Sequence, residues 1–107
     1  MRKLIVYVPT HRSYSWHRLR TVVKAAKKVA EQLGISLEGA YARSDIPDVA
    51  VYYQGDNGGE EWIYDDWEPN RSEEAVYNLM FSLTDVLRSL AKPSNWRFED
   101  DGIVVSS

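Results

Sequence analysis

A chain of 107 residues with 44% hydrophobic content can fill one ordinary core but not two, which predicts a single domain over residues 1–107. The formal charge of -3 argues against a global attraction to nucleic acid or anionic membrane. The absence of cysteine excludes disulfides, thiol redox chemistry and thiolate metal sites. The charge is unevenly placed, because residues 1–33 carry +7 and the remainder -10. Neutralisation between the two parts inside the fold is the first expectation. The alternative is two oppositely charged surfaces that attract different partners, a second copy of the chain among them.

Met1 to Val8 resembles a signal peptide only superficially. The apolar run stops at Pro9 and no small-residue cleavage site follows. No stretch is long enough to cross a bilayer, so a soluble, cytoplasmic protein without membrane contact is expected.

Leu4 to Val8 is apolar throughout and reads as a central strand buried on both faces, with helices on both sides. Pro9 ends it. The loop Thr10 to Ser15 leads into a helix predicted from Trp16 to Leu33, capped by Ser15 and closed by Gly34. Leu19, Val22, Val23, Ala26, Val29, Ala30 and Leu33 form its apolar stripe, while Arg20, Lys24, Lys27, Lys28 and Glu31 lie on the other face. Strand and helix together read as a right-handed parallel crossover. Ile35 to Ala42 alternates and reads as an edge or near-edge strand.

Val49 to Tyr53 and Glu61 to Tyr64 flank a turn containing Asn57-Gly58, which predicts an antiparallel hairpin. A second long helix is expected from Glu73 to Ala91, capped by Ser72 or Asn70. Its stripe would be Val76, Leu79, Met80, Leu83, Leu87 and Leu90, widened by Tyr77 and Phe81. Pro93 stops it, and the tail, with Asn95 to Phe98 and Ile103 to Val105, reads as a short hairpin or one added edge strand.

In this order of elements, and in the Ile46-Pro47 step before the third strand, Lys3 to Ala91 resembles the thioredoxin-like family. The resemblance implies a mixed sheet flanked by helices. It also implies a groove between the first helix entrance, Thr10 to Trp16, and Pro47, which takes the place of that family's cis proline. Such grooves bind extended peptides, thiol cofactors or partner proteins. The family's catalytic cysteine positions hold other residue types here, so redox activity does not carry over. The alternative fold is a ferredoxin-like α+β sandwich, in which residues 35–42 pair antiparallel with residues 49–53 and the tail supplies a fourth strand.

The loop after the first strand is the leading candidate site, because strand ends and helix starts converge there in parallel α/β units. His11, Arg12, His17 and Arg18 offer charge or acid-base capacity, Ser13 and Ser15 hydrogen bonds, and Tyr14 and Trp16 flat contact surface, with Pro47 shaping the groove. The plainer reading leaves Ser15 as a cap, Trp16 over the core edge and the charges in solvent. Asp65, Asp66 and Glu68 read as solvated negative surface, or as the electrostatic counterpart of the basic helix. The two histidines lack a metal-ligand spacing, and no Gly-rich phosphate cradle is present, so no metal and no cofactor are expected.

The leading functional expectation is a non-catalytic binding domain that recognises a partner protein, peptide or small anion through this loop. One alternative is a nucleic-acid-binding module using Arg20, Lys24, Lys27 and Lys28. Another is a small hydrolase or transferase using His11 or His17. Tyr77, Phe81 and the charge asymmetry make a homodimer a further expectation.

Overall fold

A computed structural model describes residues 1–90. The elements are β1 (Lys3–Pro9), α1 (Trp16–Leu33), β2 (Ser36–Arg43), β3 (Ala50–Gln54), β4 (Glu60–Asp65) and α2 (Glu73–Leu90). The tail strand or hairpin expected after Pro93 lies outside the described residues.

The four strands form one mixed sheet in the order β2-β1-β3-β4. β2 runs parallel to β1, pairing Lys3 with Ser36 and Pro9 with Arg43. β3 runs antiparallel to β1, pairing Ile5 with Tyr52, and β4 runs antiparallel to β3. β1 therefore stands between β2 and β3, and β2 is at the edge among the described residues, within the edge or near-edge position its alternation predicts. Pro9 is the last residue of β1 rather than the residue beyond it.

α1 spans the predicted residues. Ser15 caps its start by accepting from the backbone N–H groups of His17 and Arg18, and Gly34 closes its end at φ 69°. Ser72 caps α2, accepting from the Ala75 N–H at 3.1 Å. The β3–β4 turn closes where Asn57-Gly58 predicts it, with the Gly55 N–H donating to the Gly59 carbonyl at 3.0 Å. In β2 an extra residue falls between the Ile5–Glu38 and Tyr7–Tyr41 pairs. Gly39 sits at this bulge, and a Cβ there would stand 2.7 Å from the Cβ of Val6.

Both helices pack on one face of the sheet and against each other. Leu4, Val6, Val51, Tyr53 and Ile63 from that face meet Val22, Ala26 and Val29 of α1 and Val76 and Met80 of α2. The expectation of helices on both faces is corrected here, because the connection from Arg43 to Ala50 is too short to hold one. The other face is covered by its own side chains. Tyr7 packs edge-on against Tyr52 with ring centroids 5.3 Å apart, and the Arg43 guanidinium lies 4.9 and 4.3 Å from these two ring centres. The Tyr7 hydroxyl donates to Glu60 at 2.9 Å, and Lys3 pairs with Glu38 at 3.0 Å. Under this layer Ile5 is buried although no helix among the described residues covers it.

The stripe of α2 is narrower than predicted. Val76, Met80 and Thr84 form its buried line, with the Thr84 hydroxyl donating to the Met80 carbonyl at 2.7 Å. Tyr77, Phe81, Leu83 and Leu87 flank that line, whereas Leu79 and Leu90 are exposed. The physical reason is that α2 beds against both α1 and β4. Its contact face is turned toward the position that Thr84 occupies, not toward Leu79.

Met80→Ala is expected to cost about 2–5 kcal/mol, because it empties a fully buried site, while Leu79→Ala should stay within about 0.5 kcal/mol. Urea denaturation midpoints of the two variants check this, and equal losses would contradict the assigned helix face.

Candidate functional site

The first turn of α1 is fastened to the end of β4 by a charge pair taken out of water. Arg18 Nε donates to Asp66 Oδ2 at 2.9 Å and Nη2 to Asp66 Oδ1 at 2.6 Å, while Nη1 donates to the Arg71 carbonyl at 2.7 Å. The Arg18 side chain is 12% exposed and that of Asp66 3%. The hydrogen bond to Asp66 holds the Arg18 guanidinium above the usual arginine range. The Tyr64 hydroxyl donates to Asp66 Oδ1 at 2.6 Å. Burial and that bond push Tyr64 up to about 12. Arg71 Nη1 in turn donates to the Tyr64 hydroxyl at 3.3 Å and to the Asp65 carbonyl at 3.4 Å, with its guanidinium 5.2 Å from the Trp67 ring centre.

Of this network, Arg18 and Asp66 line an open cleft of about 220 Å³, together with Ser13, Tyr14, Ser15, Asp48, Val49, Trp67 and Pro69. Tyr14 and Trp16 meet edge-on at 6.2 Å beside it, and Trp16 and Trp67 are 74% and 63% exposed. Next to Asp66 in the chain, the Asp65 carboxyl is raised by burial, and then by the neighbouring carboxylates Asp48 and Asp66. Its Oδ1 is buried without a hydrogen-bond partner among the described residues.

Of the residues proposed from sequence, Ser13, Tyr14, Ser15 and Arg18 come together in the cleft. Trp16 stands beside it. His11, Arg12 and His17 are exposed, and none of them lines it. Pro47 is also exposed and outside the lining, and the Ile46-Pro47 peptide is trans, since the cis peptide among the described residues is Gly39-Ala40. Ile46 turns inward instead, and Asp48, Val49 and Pro69 form the facing wall. Two roles shift. Ser15 spends its oxygen on the helix cap, and Arg18 spends its charge on Asp66.

Asp66 is not solvated surface. It is the counterpart of the basic helix, and Glu73 plays the same part for Lys28 at 2.6 Å. Sequence reasoning missed Asp48, Trp67, Pro69, Tyr64 and Arg71 as site residues. The available signal was Trp67 within an acidic loop, next to a strand end that had to face the basic helix entrance. Compared with protein-family models and with curated proteins, the chain finds a match in neither.

Removing one partner of the Arg18–Asp66 pair is expected to cost about 3–5 kcal/mol, because the other charge is left buried and unpaired. Arg18→Met combined with Asp66→Leu should recover most of that loss, measured as coupling in a double-mutant cycle of urea unfolding. Additive losses would show that the two side chains do not act as a pair.

For Asp65 the folded carboxyl is raised, so between its unfolded and folded pKa the native state binds more protons. Stability therefore falls as pH rises through that window, and the ionised group is a burden above it. Asp65→Asn is accordingly expected to be the more stable protein at pH 7. Its advantage should vanish as the pH drops below the ordinary carboxylate range, where Asp65 is protonated in both states. Thermal melts from pH 3 to pH 8 test this, and a constant difference across that range would contradict it.

Proposed function

We propose that this is a non-catalytic, thioredoxin-like binding domain that recognises an extended segment of a protein or peptide partner in the cleft beside the α1 entrance. The family reading is supported by the central position of β1, parallel to β2 and antiparallel to β3, with the β3–β4 hairpin beyond it. The groove differs from the one the resemblance implies, with Asp48, Val49 and Pro69 in place of Pro47.

The observation that carries the reading is the combination of exposed aromatic side chains with a mutually neutralised charge pair in one cleft lining. Trp67 and Tyr14, both in the lining, offer rigid contact area at little conformational cost. In the same lining Arg18 and Asp66 cancel, which leaves the Asp48 carboxylate as the acceptor on the wall. Such a lining suits a segment that presents backbone N–H groups or a cationic side chain. It suits a small anion less well, because the cation assigned to hold one is already occupied.

Peptides selected from a random displayed library against the whole protein supply the probe. Their binding is followed by tryptophan fluorescence, since Trp16 and Trp67 flank the cleft. Trp67→Ala and Tyr14→Ala are each expected to weaken the selected peptide by about tenfold or more, equivalent to about 1.4 kcal/mol. Asp48→Asn should weaken basic peptides selectively. Peptides whose affinity ignores all three substitutions would place recognition elsewhere and overturn the reading.

A further inference from the structure

The basic face of α1 ends in a second cavity that peptide recognition does not use. It has a volume of about 340 Å³, lies between the first turns of α1 and the start of α2, and is lined by His17, Arg18, Arg20, Thr21, Lys24, Arg71, Ser72 and Glu73. Its charges are partly spent. Arg18 is bound to Asp66, and the Glu73 carboxylate on the wall is held by Lys28 at 2.6 Å. That contact keeps Glu73 below the usual carboxylate range. Arg20 and Lys24 are four residues apart on one helix face, and neither forms an ion pair among the described residues.

We infer that this cavity is a binding site for a phosphate monoester on a molecule of about mononucleotide size. Arg20 and Lys24, the latter also within Coulombic reach of Glu73, meet the two charges of the phosphoryl group. The Ser72 hydroxyl spends its oxygen on the Ala75 N–H and keeps its own hydrogen to donate. The imidazole of His17 adds another donor at the rim. The positive end of α2 is already met by Glu73 and Glu74 in its first turn, so the attraction rests on the side chains rather than on the helix dipole. The volume falls in the range of small-molecule sites and exceeds what an inorganic ion fills. A long phosphodiester chain is the poorer fit, because Lys28 is already tied to Glu73 and the chain as a whole is acidic.

The test is a two-dimensional amide NMR titration of the full chain at constant ionic strength, with inorganic phosphate, adenosine 5′-monophosphate and a ten-residue oligothymidylate as separate probes. The monophosphate is expected to give saturable shifts at residues 17–24 and 72–75, with phosphate weaker at the same residues. Arg20→Gln with Lys24→Gln should weaken binding by about tenfold or more, while Lys27→Gln, outside the cavity lining, stays within about threefold. Both sets lie on exposed positions, and the amide spectra themselves report whether the fold is kept. Three results overturn the inference: no saturable shift with the monophosphate, equal losses in the Lys27 variant, or an oligonucleotide that binds more tightly than the monophosphate. The peptide experiment is independent of this outcome, because Trp67, Tyr14 and Asp48 lie in the other cleft.

Discussion

A guanidinium and a carboxylate removed from water together must satisfy each other, and the Arg18–Asp66 pair does so through two parallel hydrogen bonds. Much of the site's geometry follows from that requirement. The pair ties the beginning of α1 to the end of β4, and through the Arg71 carbonyl it reaches the segment that starts α2. Tyr64 and Arg71 complete the hydrogen bonding, so no member of the cluster is left as an isolated buried charge.

The same pair divides the molecule's polar surface into two regions. Toward β3 and the loop after β1, Arg18 and Asp66 line a cleft together with Tyr14, Trp67 and the Asp48 carboxylate. Toward the groove between the helices, Arg20 and Lys24 form no ion pair among the described residues, and Lys24 lies within Coulombic reach of Glu73. A chain with net charge -3 can thus hold a cationic pocket, because its acidic residues are distributed among specific partners rather than spread evenly.

The bare face of the sheet has a related logic. A strand with a buried residue on each face ordinarily requires two covering layers. Here Tyr7, Tyr52 and Arg43 lie over one face as a layer of their own. Tyr7 donates to Glu60 and Arg43 pairs with Asp45 at its edges. Among the described residues, Lys3 on that face also pairs with Glu38, while Tyr41 and Trp62 remain half exposed there.

What the sequence determined by itself was the set of elements: α1 between Ser15 and Gly34, the hairpin around Asn57-Gly58, the edge or near-edge character of β2 and the start of α2 near Glu73. Each is a local property, written in periodicity, capping side chains and backbone freedom within a few residues of where it acts. What only the tertiary structure decided was the partnership of residues 18 and 66, the one-sided placement of both helices, the turning of Thr84 rather than Leu79 into the core, and the replacement of Pro47 by Asp48 and Pro69 in the cleft wall. Those depend on how strands align across gaps of tens of residues. Neither charge nor periodicity at one position carries the address of the residue that will face it.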